Sequence, residues 1–321
     1  MRVARGRPGL SAVEVVVILI LVLALVLIVI LALPRGRETA RLAACERNLM
    51  QIGVAVALYG NATEALPAVP PLGPIDEPRG PGPLEALLQT LGQADFAAMT
   101  NPKQPPPRQA AVPTGERVVL GLLCPSDPGA TAGRFPAPVS YRATAGDTPG
   151  GENGPFAPGR RVGLAEVEAG DGLGYTAAFA ERLVGSNRLG MPGPRDYARV
   201  PGPIGPEGCP RAPEAAWRGD AGSSWVVADW RSTLYNHALT PGATPSCLAT
   251  DGQTARMGAS SGHVNRVHVL LLDGSVRPFT TTVDPDVWRR WGTINDRGQV
   301  PPSPSPAAGP DSALPPPEPT P

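Results

Sequence analysis

Three histidines, four cysteines and a scatter of loop aspartates are the residues of this 321-residue chain whose types could do chemistry. Ser126, His237 and Asp273 can be drawn into a Ser-His-Asp hydrolase, because such triads are defined by geometry and not by chain order. No G-x-S-x-G elbow presents a nucleophile, and Ser126 stands between Pro125 and Asp127, where a turn is the simpler role. His263 and His268 flank a predicted strand start; in extended chain their odd spacing sends the rings to opposite faces, poor geometry for one metal. His268 is therefore read as a hydrogen-bonded strand residue and His237 as a turn residue serving nearby backbone. Cys45, Cys124, Cys209 and Cys247 show no C-x-x-C spacing, which argues against a zinc centre or a thioredoxin-like motif. Asp127, Asp147, Asp171, Asp251 and Asp273 lie in glycine-containing loops without EF-hand spacing and are read as turn formers. The expectation is no catalytic residue, no metal and no cofactor, hence no enzyme.

Formal net charge is zero, so no overall field draws the chain to nucleic acid, and none is expected as a partner. Pro and Gly, 42 and 38 residues, concentrate in long loops and in the tail. An even cysteine set outside the cytoplasm implies two disulfides, and four cysteines permit three connectivities among which sequence alone does not choose. The expected pairing joins Cys45 to Cys124, stapling a helix to the segment ending at Leu123, and Cys209 to Cys247, closing a proline-rich stretch. Trp288 and Trp291, three apart, are expected to lay a helix face on a sheet; a sugar-binding aromatic platform is the weaker reading.

The elements that position these residues begin at the N-terminus. Val15 to Leu33 is an unbroken apolar run of 19 residues, which as a helix spans roughly 28 Å, close to a bilayer's hydrocarbon core. Arg2, Arg5 and Arg7 precede it, Gly9 ends that basic leader, and Glu14 is the one acid of the apolar region. This layout resembles a type IV prepilin signal; the alternative is an ordinary uncleaved signal anchor. Pro34 and Gly36 predict a kink or short break. The helix then resumes with Leu42, Cys45, Leu49, Ile52, Val56 and Tyr59 on one stripe, and Gly60-Asn61 is expected to end it. Strands are predicted at Arg117–Leu123, Ser140–Ala145, Tyr175–Glu181, Ser224–Trp230, Val267–Leu272 and Ser275–Thr281, the last two joined by an Asp273-Gly274 type I′ turn. Short helices are predicted at Pro83–Leu91 and Asp284–Trp291. The tail after Val300 lacks the aliphatic content to order itself.

Taken with that start, several stretches carry a family resemblance. They are Arg47-Asn48-Leu49-Met50-Gln51-Ile52-Gly53, Cys124-Pro125-Ser126-Asp127, Asn153-Gly154-Pro155-Phe156, Asp171-Gly172 leading to Thr176 and Glu181, Tyr235-Asn236-His237, and Asp273-Gly274-Ser275-Val276-Arg277. The chain resembles the pilin-like domain-of-unknown-function 1559 family, common in planctomycete bacteria, with its N-terminal cleavage and methylation signal. The resemblance implies an α+β, pilin-like fold. In it a long N-terminal helix, half transmembrane and half amphipathic, packs on an antiparallel β-sheet head with long Pro/Gly-rich loops and a disordered tail. The implied organisation is a leader over 1–9, a transmembrane helix over 10–33, an amphipathic helix over 34–60, an exported β-rich head over 61–300 and a Pro-rich tail over 301–321. A prepilin peptidase would cut between Gly9 and Leu10, and Glu14 would pair with a neighbouring subunit's amine. The implied partners are the lipid bilayer, that peptidase and pilin-like subunits. The implied location is the inner membrane, with the head in the periplasm or at the cell surface. The expected role is structural or in assembly, with a membrane-tethered extracellular protein that binds a ligand such as a saccharide as the alternative.

Overall fold

The computed structural model describes residues 12–75, 80–88, 90–91 and 117–296, with the side chains of 28–35 and of Thr131 outside that description. The proposed leader, Gly9, Leu10 and the tail over 301–321 lie outside the described residues. The chain divides into two units, Met1–Ala43 and Ala44–Pro321.

The first unit holds most of α1, a helix that runs over Ala12–Thr63. The described side chains from Ala12 to Leu27 are all exposed, and apart from Glu14 all are apolar. Among the described residues no helix is long and apolar enough to cross a membrane. Part of the predicted span, 28–33, belongs to the undescribed side chains. The helix continues through Pro34 and Gly36, so the predicted break is absent.

In the second unit the C-terminal part of α1 keeps the predicted stripe. Cys45, Leu49, Ile52 and Val56 are buried, joined by Ala55, and Tyr59 is half-buried. The helix ends later than expected. Glu64, at φ 56°, is the left-handed residue, and its N–H donates to the Gly60 carbonyl while Thr63 Oγ1 donates to that of Tyr59. The helix stop therefore comes from a non-glycine residue held by local hydrogen bonds, a signal that composition hides.

The stripe meets a five-stranded sheet ordered β5-β1-β2-β8-β9. Its strands are β1 (Tyr141–Thr144), β2 (Ala177–Glu181), β5 (Leu234–Tyr235), β8 (Arg266–Leu271) and β9 (Val276–Thr280). Its neighbours are antiparallel except β1 with β5, which are parallel. A second sheet, ordered β4-β3-β6-β7, joins β3 (Tyr197–Val200), β4 (Trp217–Arg218), β6 (Ser246–Ala249) and β7 (Ala255–Arg256), with β3 and β6 parallel. The head is thus built of two mixed sheets, not the single antiparallel sheet expected. Short strands with few residues each left too little periodicity to reveal the second sheet.

Alternation along β8 sorts the two faces of the first sheet. Leu270 faces the core that includes Leu49 and Ile52, while Val267, Val269 and Leu271 face a second cluster with Phe279, Trp288 and Trp291. That second cluster is covered by α4 (Pro285–Arg290), which starts as predicted, with the Asp284 side chain accepting from the N–H groups of Asp286 and Val287. Two further short helices, α2 (Pro83–Ala86), shorter than predicted, and α3 (Leu164–Ala169), pack Leu84 and Val167 into the first core.

Two predicted strands are absent. Residues Leu120–Leu122 form a single 3-10 turn, and Ser224–Trp230 is irregular chain whose Trp225 and Trp230 are fully buried. The β8–β9 hairpin exists, but its turn is not type I′. Gly274, at φ 86°, is left-handed while Asp273 is not, and Leu271 exchanges hydrogen bonds with Gly274 and Ser275, the pattern of a three-residue loop. Asp273 Oδ1 accepts from the Ser275 N–H and hydroxyl, which favours that loop over the two-residue form.

Candidate functional site

Where the helix stripe passes the end of β2, four chain segments converge on one buried polar cluster. The helix supplies Cys45, the loop before β1 supplies Cys124, β2 ends in Glu181, and the approach to β8 supplies His263, with His268 inside the strand. Cys45 and Cys124 are bonded, as are Cys209 and Cys247, so both expected pairings hold. The backbone at each end of the first bridge is fixed. Asn48 Nδ2 donates to the Leu123 carbonyl at 2.9 Å, and Tyr141 Oη donates to that of Cys45 at 3.3 Å.

Glu181 is the centre of charge. Its Oε2 accepts from the His268 backbone N–H at 2.8 Å and faces His268 Nδ1 at 3.2 Å. Its Oε1 lies 3.5 Å from His263 Nε2, a distance that suits an ion pair more than a formed hydrogen bond, and takes no hydrogen bond. Burial by itself would raise the Glu181 carboxyl, yet the two imidazoles beside it hold it down at about 2. His263 Nε2 is also 3.7 Å from Cys124 Sγ. The two sulfurs, a Glu181 oxygen and a His263 nitrogen all lie within 4.8 Å of one another, and all four residues are buried.

A glycine permits this convergence. A Cβ on Gly262 would fall 1.8 Å from the Ser126 carbonyl oxygen, so the chain carrying His263 can lie against the Cys124-Pro125-Ser126-Asp127 segment only without a side chain there. Asp127 ties the same segment to the sheet. Its carboxylate accepts from the N–H groups of Gly129, Ala130 and Val184 and from the Ser140 hydroxyl. Burial outweighs those bonds and pushes its carboxyl up. Asp127 is a structural hub of the head, which agrees with the turn role expected of it.

The structure does not assemble the imagined Ser126-His237-Asp273 triad. His237 is fully buried and stacked on Trp288 at 3.9 Å between ring centroids, with Nδ1 2.7 Å from the Trp288 carbonyl and Nε2 2.9 Å from Tyr235 Oη. Asp273 caps its own turn. His263 and His268, expected on opposite faces, share Glu181, with ring centroids 5.4 Å apart. They meet because β8 starts at Arg266, so His263 lies in irregular chain outside the strand's alternation. Glu181 itself escaped notice. A lone acid at a strand end carries no motif, and its partners lie far off in sequence.

The family match covers residues 34–286 and carries the description protein of unknown function, DUF1559. The chain belongs to the DUF1559 family. All four cysteines and the Glu181 cluster fall inside the DUF1559 match. No curated protein and no solved structure matches the chain.

Proposed function

We propose that this DUF1559 protein is an exported, membrane-anchored, pilin-like surface protein with a structural or assembly role. The observation that carries the reading is α1. Its described stretch Ala12–Leu27 exposes apolar side chains on every side, while the same helix from Cys45 onward is packed and disulfide-bonded into a head. A helix apolar all round is out of place in water and needs lipid or other apolar helices around it. Glu14, in its first turn, is the residue whose carboxylate would meet a neighbouring subunit's terminal amine, offsetting the cost of placing it near lipid. Exposed Leu120 and Val118, on an apolar cavity of about 470 Å³ beside Ala44 and Asn48, add surface suited to subunit contact.

Intact mass spectrometry of the protein from its native membrane tests the processing. A mature chain beginning at Leu10 and carrying an added methyl group is expected, and Glu14→Ala should leave cleavage and insertion intact while weakening subunit association. A chain still starting at Met1 refutes the pilin-processing reading and leaves an uncleaved anchor.

The second reading is a tethered binding protein. It is favoured by a cavity of about 450 Å³ where half-buried Trp217 faces Pro192, Pro194 and Pro245, and the family's label SBP_bac_10 has a solute-binding form. Against an aromatic saccharide platform, Trp225, Trp230, Trp288 and Trp291 are all fully buried.

A further inference from the structure

We infer that Cys45, Cys124, Glu181 and His263 form a second, metal-binding state of the head, in which the two cysteines as thiolates hold one Zn²⁺ together with a Glu181 oxygen and a His263 nitrogen. The disulfide and the metal are mutually exclusive occupants of one site. Two sulfurs, one imidazole nitrogen and one carboxylate oxygen are a donor set that Zn²⁺ accepts in tetrahedral geometry.

The separations support the assignment. With metal–sulfur bonds of about 2.3 Å and metal–nitrogen and metal–oxygen bonds of about 2.0 Å, a tetrahedral site needs sulfur–nitrogen edges of about 3.5 Å and nitrogen–oxygen edges of about 3.3 Å. Cys124 Sγ to His263 Nε2 is 3.7 Å, and His263 Nε2 to Glu181 Oε1 is 3.5 Å. These two edges are already near metal-site values; the bonded sulfurs must part to about 3.8 Å, and the remaining edges, all within 4.8 Å, must settle at about 3.5 Å.

Glu181 Oε1 provides the independent sign. It is a buried carboxylate oxygen that takes no hydrogen bond and is met only by the charge of His263 Nε2 at 3.5 Å, which leaves its lone pairs incompletely satisfied. Its partner oxygen is held by His268 through both backbone and ring, so the carboxylate is fixed with Oε1 turned toward His263. His268 is the outer-shell residue that orients a metal-binding carboxylate.

The change of state balances. A dithiol transfers two electrons and two protons to the Cys45–Cys124 bond, which breaks into two thiols while the dithiol closes to its own disulfide. Zn²⁺ then displaces to solvent the two thiol protons and the proton on His263 Nε2, sheds its own hydration waters, and forms two metal–sulfur bonds, one metal–nitrogen bond and one metal–oxygen bond. A chain that meets zinc before it is oxidised reaches the metal state without the first step.

The test uses the full chain in detergent micelles, reduced without oxygen by a water-soluble phosphine and titrated with Co²⁺ as the spectroscopic probe, then with Zn²⁺. One Co²⁺ per chain is expected, with thiolate charge-transfer bands and the intense ligand-field bands of tetrahedral cobalt, all lost when Zn²⁺ displaces it. His268→Ala should weaken Co²⁺ binding about 10–100-fold, as loss of an outer-shell partner does, and His263→Ala should weaken it at least as much. The Cys209→Ser, Cys247→Ser double variant should keep the spectrum. Circular dichroism gives a second readout, because Zn²⁺ should restore to the reduced chain the fold that the disulfide otherwise secures. Absence of thiolate–cobalt bands, a reduced chain that stays unfolded with Zn²⁺ present, or unchanged affinity in His263→Ala overturns the inference.

Discussion

Acid should unfold the head through His237, and the hydrogen-bond chain around that ring fixes the sign. Thr144 Oγ1 donates to Tyr235 Oη, Tyr235 in turn donates to His237 Nε2, and His237 Nδ1–H donates to the Trp288 carbonyl. Every member is satisfied with the imidazole neutral. Protonating Nε2 would set its new N–H against the Tyr235 hydroxyl proton in a fully buried place. Burial accordingly depresses His237 from an ordinary 6.5 to about 3, the Trp288 carbonyl opposing only weakly. Because the folded ring binds its proton less well than the unfolded one, its stabilisation is complete above about pH 6.5 and is lost as pH falls toward 3. Within that window each pH unit removes about 1.4 kcal/mol, so lowering pH from 7 to 5 should cost about 2 kcal/mol from this ring alone. The measurement is urea unfolding at pH 7, 6 and 5 followed by tryptophan fluorescence, since Trp288 stacks on the ring. His237→Phe keeps a flat apolar ring on Trp288 and should be less stable at pH 7. Its stability should fall less steeply with acid, by close to one proton. The comparison removes whatever His263 and His268 contribute equally to both chains. Equal pH slopes for the two proteins, or a titration of His237 near 6.5 followed by nuclear magnetic resonance, would refute the reasoning.

Replacing both Cys45 and Cys124 by Ser should cost about 4 to 5 kcal/mol, and replacing Cys209 and Cys247 about 4, from closed loops of 79 and 38 residues. Thermal melts of the exported protein, with non-reducing peptide maps to confirm the bonds, check both, and four free thiols would sink the argument. Leu49→Asp or Ile52→Asp places a charge on a fully buried seam and should abolish cooperative melting of the head, whereas Met50→Asp on the exposed side should change stability by less than about 0.5 kcal/mol. Gly262→Ala drives a methyl group into the Ser126 carbonyl and should destabilise the head by about 1–3 kcal/mol, read as a lowered urea midpoint at constant slope.

What could be read from sequence was whatever repeats with a period or is dictated by a local residue type. The stripe from Cys45 to Tyr59 was legible because a half-buried helix writes its packing every three or four residues. Likewise α4 announced itself by Asp284, Pro285 and a Trp pair. The hairpin's place was legible from Asp273-Gly274, but its turn class was not, because the side chain of Asp273 stabilises a longer loop. The second sheet stayed hidden. Its strands run only two to four residues, and β3 and β6 pair in parallel across long proline-rich connections. For the candidate site the cysteines were legible in kind, yet the cluster was not, since its members come from four separate segments with no common spacing. Glu181 gained meaning only when β2 set it beside β8.

The Cys45–Cys124 bond also bears on mechanics. If α1 is held in a membrane or a filament while the head is pulled, the load enters the head through the part of the helix that begins at Cys45. Without the bridge that load would be borne by apolar contacts along the stripe, which slide apart gradually because each is weak. With it, tension passes through a covalent link into the chain leading to β1, and β1 lies inside its sheet between β5 and β2. The strap sits where the packed stripe starts, so the hydrophobic seam behind it is shielded from peeling. A seam strapped in this way is rated by the strength of a bond, and chemical reduction of that bond would let the seam peel back to the backbone link at Thr63.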